Sequence, residues 1–150
     1  KSTINSSVYE TNQCLIDKKP TLIEYAAFYG SIRIFNYLQT NNVELNKESL
    51  CYVIHGRNPE IINIFEESNN LNDEDYKKIL EESIKCHHNE IALYILNNYV
   101  KYEEVKLTII ETSLHFYNFL FLKNEDINTP SSLFYLCQYD HFSLLNSFLN

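Results

Sequence analysis

The feature that most constrains this chain is a pattern of apolar residues that recurs five times. Apolar or small residues lie four and one positions before an anchor residue, and apolar residues follow seven, eight and eleven positions after it, except at the last position of the fourth copy. The anchors are Ala27, Ile54, Ile84, Leu114 and Cys137. Spacings of three and four place each set on one stripe of a helix. Because a polar gap separates the two stripes of every copy, the pattern predicts five helix–turn–helix pairs.

A single helix pair of this size cannot bury both of its apolar faces, whereas stacked pairs can. We therefore predict an all-α repeat solenoid. The composition agrees, since the 150 residues include only 2 glycines and 3 prolines, too few for a turn-rich β-sandwich. In the fourth copy Glu125 occupies the last position, where the pattern requires an apolar residue. The second helix near residues 119–123 is therefore predicted to be short or distorted.

Helix start signals support these boundaries. Thr21 and Glu24 form a capping-box pattern, and Asn58-Pro59-Glu60 places a cap residue before a proline and an acid. We predict a repeat domain over residues 21–150. Residues 1–20 do not fit the pattern, and we expect them to form an N-terminal helical cap or the end of a preceding unit. The apolar residues available for such a helix are Val8, Tyr9, Leu15 and Ile16.

The segment 25–38, with its Ala-Ala, Gly, apolar pair and final Leu, resembles the second half of an ankyrin repeat. Segments 22–27, 52–56 and 83–89 look more specifically like a divergent ankyrin-like domain of unknown function that is expanded in parasitic protists. The resemblance implies stacked helix pairs. The Thr-Pro-Leu-His start of that family is missing, so we expect degenerate or absent β-hairpin fingers. The family's glycine position is occupied by Gly30, Arg57, His87, Tyr117 and Asp140.

Charge restricts the classes of partner. The 20 acidic residues outnumber the 12 lysines and arginines, which gives a net charge of −8. A nucleic-acid-binding protein needs a basic face, and an acidic membrane surface would repel this chain. We therefore expect neither partner. The chain has no long apolar run and no signal peptide, and its 4 cysteines include no CxxC pair, so we expect reduced thiols and a cytoplasmic location.

Two groups of residues could carry chemistry. Cys86-His87-His88 could hold a metal, but neighbours on a helix point about 100° apart and do not converge on one ion. Cys137 lies four residues before His141, but it occupies an anchor position, so we predict a buried apolar cysteine there. We expect no metal, no cofactor and no small-molecule substrate. An enzyme would need a deep pocket with a perturbed titratable group.

The turns between paired helices are the strongest candidates for function, because aromatic residues and arginine are favoured at protein interfaces. The resemblance implies that these turns line a concave groove, so the predicted function is a non-catalytic protein–protein interaction module. The alternative is a structural spacer or capping segment within a longer ankyrin array. The candidate partner-binding residues are Phe28, Tyr29, His55, Arg57, His87 and Tyr117.

Overall fold

A computed structural model describes residues 3–5, 7–17 and 19–149 of the chain. In this part the regular structure is helical, apart from one isolated β-bridge between Thr3 and Thr21. The all-α prediction is therefore confirmed for these residues. The helices are α1 (Gln13–Asp17), α2 (Leu22–Phe28), α3 (Ile32–Thr40), α4 (Leu50–Gly56), α5 (Pro59–Asn69), α6 (Asp73–Lys85), α7 (Asn89–Asn98), α8 (Tyr102–His115), α9 (Asn124–Ile127), α10 (Pro130–Gln138) and α11 (Phe142–Leu149).

The chain divides into two compact units, which we call unit 1 (Lys1–Asp75) and unit 2 (Tyr76–Asn150). Unit 1 contains the pairs α2–α3 and α4–α5. The predicted capping box is present at the start of α2, where the Thr21 backbone N–H donates to the Glu24 carboxylate at 2.7 Å. At the start of α5, Asn58 Oδ1 accepts from the backbone N–H groups of Glu60 and Ile61. These caps satisfy donors that a helix leaves free at its first turn.

The core of unit 1 joins both helix pairs to the short helix α1. Leu15 of α1 is buried in the same cluster as Ile23, Phe35 and Tyr52. Val8 and Tyr9, which we expected in an N-terminal helix, lie outside α1 and are exposed. The reason is that Val8 and Tyr9 lie in a turn, which is closed by the hydrogen bond that the Glu10 backbone N–H donates to the carbonyl of Ser7 at 3.0 Å. Only part of the expected N-terminal helix is therefore present.

Both glycines of the chain lie where two helix pairs of unit 1 meet. Gly30 has a φ of +61°, in the left-handed region that favours glycine. A Cβ atom added to Gly56 would lie 1.9 Å from the backbone oxygen of Ala27. The end of α4 can therefore approach the end of α2 this closely only because residue 56 has no side chain.

Unit 2 contains α7 to α11 and most of α6. The sequence predicts a short or distorted second helix near residues 119–123, and the structure has a single 3₁₀ turn, Phe119–Phe121, after α8. The core here includes Ile110, Leu114, Ile127 and Leu136, from helices α8, α9 and α10.

A buried polar network joins α8 to α9 in unit 2. Asp126 is fully buried, and its Oδ1 atom lies 2.5 Å from Lys106 Nζ. The Tyr102 hydroxyl donates to the other carboxylate oxygen, and Lys123 Nζ lies 3.6 Å from the centre of the Tyr102 ring. Burial alone would raise the pKa of Asp126, but the hydrogen bonds from Lys106 and Tyr102 outweigh it and lower this pKa. The network holds α9 against α8 where the other pairs have a full second helix.

The anchor residues of the first four copies are buried, with exposed fractions between 0% for Ala27 and 1% for Ile54. The prediction for Cys137 was wrong, because its side chain is exposed. The buried face of α10 runs through Ser132 and Leu136, four residues apart. One further residue rotates the side chain by about 100° around the helix, which turns Cys137 toward solvent.

Candidate functional site

The five turns between paired helices share one backbone conformation. One or two positions after each first helix ends, one residue has a left-handed φ, between +51° and +61°; these residues are Gly30, Arg57, His87, Tyr117 and Asp140. These are the residues that occupy the glycine position of the sequence pattern. A non-glycine residue in this region costs about 1–2 kcal/mol. The left-handed backbone conformation is therefore kept at four positions where the residue is not glycine.

Hydrogen bonds fix four of these turns in the same way. In each, the backbone N–H of the residue after the left-handed one donates to a carbonyl five positions earlier. The bonds are Ser31 to Ala26 (2.8 Å), His88 to Ser83 (2.8 Å), Asn118 to Ser113 (2.9 Å) and His141 to Leu136 (2.8 Å). This is the Schellman motif, which satisfies carbonyls at a helix end. The same bond also sets the direction in which the second helix of the pair begins.

Side chains at the starts of second helices secure the preceding turn. In unit 1, Asn58 Nδ2 donates to the carbonyl of Gly30 at 3.1 Å. In unit 2, Asn118 Nδ2 donates to the carbonyl of Ile84 at 2.8 Å, and His141 Nε2 donates to that of Leu114 at 2.6 Å. These carbonyls lie at or just after the ends of first helices, where intrahelical partners run out. The bonds tie successive helix pairs together within each unit.

Unit 1 brings three of the candidate residues together. The rings of Phe28 and His55 stack with centroids 4.9 Å apart and an interplanar angle of 25°. Tyr29 contacts the Phe28 ring edge-on at 5.1 Å and is 56% exposed. His55 Nε2 also lies 3.8 Å from Cys14 Sγ of α1. Arg57, the fourth candidate in this unit, is exposed at the left-handed position of its turn.

The two candidates in unit 2 have different neighbours. His87 is exposed, and its Nε2 atom lies 2.9 Å from the carbonyl oxygen of Phe116. Tyr117 is 61% exposed and contacts the ring of His141 at 4.8 Å. Each of the two therefore joins a separate group of residues at the turns.

An aromatic stack that the sequence pattern did not predict lies at the ends of α8 and α10. The rings of His115 and Tyr139 lie 4.5 Å apart and are nearly parallel, and His115 also contacts Phe116. A signal was available, because His115 follows its anchor by one residue, as His55 does. The shared position, one residue after the anchor, would have identified His115 as a candidate.

An open groove of about 440 Å³ lies at the last turn of unit 2. We call it the Tyr117 groove; its lining is Tyr117, Phe119, Asp140, His141, Phe142, Ser143 and Leu144. The ring of His141 meets those of Tyr117 and Phe119 at 66° and 79°. Phe142 is 70% exposed. The groove is therefore bordered by rings that stand nearly at right angles, with one carboxyl group beside them.

Three of the residues considered for metal or nucleophilic chemistry, Cys86, His87 and His141, have other hydrogen-bond partners. The Cys86 thiol donates to Glu82 Oε1 at 3.6 Å, whereas His87 is bonded to the backbone of Phe116. The His141 ring is bonded to the carbonyl of Leu114, so this nitrogen is not free to accept a proton from Cys137. These contacts give the three side chains roles in holding the turns.

No model of a known protein family matches the chain, and neither a curated protein nor a solved structure matches it significantly. In the part of the chain that the structure describes, every helix is too short or too polar to cross a membrane. The likeness to ankyrin-like repeats therefore rests on the sequence pattern.

Proposed function

We propose that the chain is a non-catalytic protein–protein interaction module that binds its partner through the aromatic side chains at its turns. The observation that carries this proposal is the contrast in burial at two of the turns. Tyr29 is 56% exposed and Tyr117 is 61% exposed, whereas Ala27 and Leu114, two and three residues before them, are fully buried. Large aromatic side chains exposed beside a rigid core are typical of binding surfaces.

The turns suit binding because they are held in place before any partner arrives. Each left-handed residue follows a helix end, and four of the turns carry the Schellman hydrogen bond. A rigid aromatic side chain loses little conformational entropy when it is covered, so more of the contact energy remains as affinity.

We further propose that the turns line one concave face and that the partner is a basic or neutral protein. In an ankyrin-like solenoid, which the sequence resemblance suggests, such turns line a concave face. The net charge of −8 favours a basic or neutral protein, because opposite charges accelerate encounter. The four cysteines are not joined in disulfides, which suits a reducing compartment such as the cytoplasm.

Site-specific photo-crosslinking tests the proposal. A photoreactive phenylalanine analogue replaces Tyr29 or Tyr117 in separate variants, which are irradiated in extracts of the cells that express the protein. We expect the same discrete protein adduct from both positions, and we expect Tyr29→Ala and Tyr117→Ala to weaken binding of the captured partner to the unlabelled chain.

The matched control is the same analogue at Tyr37, which is 67% exposed but lies on the second helix α3. Equal labelling at Tyr37 would show that exposure alone produces the adducts. If neither turn position formed an adduct, the chain would fit the alternative of a structural spacer.

A further inference from the structure

We infer that the Tyr117 groove binds a quaternary ammonium group, carried by a methylated lysine side chain of the protein partner. This inference rests on the proposed function and names the chemistry that one turn would recognise. Its basis is the combination of rings and charge in one groove of unit 2.

Three exposed aromatic rings border the Tyr117 groove. Tyr117, Phe119 and Phe142 are exposed on the groove by 61%, 43% and 70%. The edge contacts of His141 with two of them hold the rings at steep angles to one another, so they border a concave space rather than a flat stack. Aromatic faces carry partial negative charge, and several faces around one space attract a cation.

The charge of the groove lining also favours a cation. Asp140 is the acidic residue of the described lining, and this lining includes no lysine or arginine. Asp140 follows α10 at a left-handed position, and its backbone N–H donates to the carbonyl of Cys137. The backbone of Asp140 is therefore held at the groove, and its carboxyl group adds an attraction for positive charge that apolar contacts alone would not provide.

Size and shape favour a methylated ammonium over a bare one. The groove has a volume of about 440 Å³, within the range of small ligand sites. An unmethylated lysine ammonium is strongly hydrated and loses water at a cost, whereas methyl groups can contact the rings directly. The groove is open, and Phe142 of its lining is 70% exposed, so we assign the cation to a polypeptide that continues along the surface.

Nuclear magnetic resonance titration of the purified chain tests this inference. The probes are a peptide with trimethyl-lysine, the same peptide with unmodified lysine, free choline, and 3,3-dimethylbutanol as the neutral analogue of choline. All titrations are made at one ionic strength because salt screens charge. We expect saturable shifts at residues 117–119 and 140–144, with choline binding about three- to five-fold tighter than its neutral analogue. The trimethyl-lysine peptide should bind more tightly than choline and than the unmodified peptide.

Variants assign the binding to the groove. Phe142→Leu should weaken binding of the trimethyl-lysine peptide about three-fold, since one exposed ring is lost. Asp140→Asn, which suits a left-handed backbone, should weaken it about two-fold and reduce its dependence on salt. Phe134→Leu is the matched control, because Phe134 is an equally exposed aromatic residue of unit 2 outside this groove. Circular dichroism shows whether each variant is folded.

Several results would overturn the inference. Equal affinity for choline and the neutral analogue would mean that the groove recognises shape and not charge. Binding of choline as tight as that of the trimethyl-lysine peptide would assign the site to a free small molecule. Unchanged affinity in both Phe142→Leu and Asp140→Asn would place the binding elsewhere. None of these results would affect crosslinking at Tyr29 in unit 1, so failure of the inference is distinct from failure of the proposed function.

Discussion

Side-chain hydrogen bonds join neighbouring helix pairs in both units, but unit 1 adds a close backbone contact. In unit 1 the backbones themselves meet, because Gly56 lets the end of α4 reach Ala27 of α2. In unit 2 side chains span the distance, as Asn118 and His141 donate to carbonyls of preceding first helices. The aromatic turns differ accordingly. Phe28 and His55 stack closely in unit 1, whereas the rings around His141 in unit 2 stand at steep angles and border a groove.

This comparison shows that one turn geometry can be stabilised with or without glycine. In unit 1 the glycine at position 56 allows backbone contact between helix pairs, and Phe28 stacks on His55 nearby. In unit 2 the side-chain donors Asn118 and His141 join the pairs, and the Tyr117 groove lies beside His141. Each of the following substitutions addresses one side of this contrast.

The largest effect is expected at Asp126, the buried carboxylate of unit 2. Asp126→Ala leaves Lys106 and Tyr102 without their acceptor, and we expect a loss of about 3–4 kcal/mol in the free energy of unfolding. Urea denaturation measures this loss, and hydrogen exchange should locate it in α8 and α9. The exposed neighbour Glu125→Ala is the control. Equal losses from the two substitutions would show that the network does not stabilise unit 2.

A somewhat smaller effect is expected at Gly56 in unit 1. Gly56→Ala places a methyl group against the Ala27 carbonyl and forces the two helix pairs apart, at a cost of about 2–3 kcal/mol. Hydrogen exchange should show lost protection in α2 and α4. Residue 56 lies within α4, where alanine is otherwise the better helix former, so an increase in stability would contradict the close contact.

Acid should affect the Asp126 network more than the turns of unit 1. Folding lowers the pKa of Asp126, so its stabilising contribution is complete above the usual aspartate value of about 3.9 and is lost as the pH falls through the lowered folded value. Unfolding free energies of the wild type and of Asp126→Asn should therefore converge as the pH falls below about 4. A difference that stayed constant down to low pH would show that the carboxylate charge contributes nothing.

The smallest expected effect is a gain. Arg57→Gly removes the strain of a left-handed arginine and should raise the free energy of unfolding by about 1 kcal/mol. Arg57→Ala is the matched control, because it removes the same side chain but keeps the Cβ atom. Thermal unfolding of the two variants compares them directly. If alanine stabilised as much as glycine, the side chain and not the backbone conformation would be the cause.

The positions of the helices could be predicted from the sequence because burial repeats with the helical period. Four of the five anchors are buried, and the cap at Thr21 forms as its residue types require. The prediction that Cys137 is buried was wrong because the pattern allows an error of one residue at the edge of a stripe. One residue is enough to turn a side chain from the core to solvent. His115 was missed because its partner Tyr139 lies 24 positions later, and a spacing rule within one helix cannot find such a pair.

What the sequence determined by itself is local: where helices begin and end, which stripe is apolar, and which residues occupy the turns. These follow from periodicity and from caps that act over a few residues. Only the tertiary structure decided that Phe28 stacks on His55, that Asp126 lies buried between Lys106 and Tyr102, and that Asp140 shares a groove with Tyr117. Those contacts join residues 20 or more positions apart, and their geometry depends on how closely two helices approach.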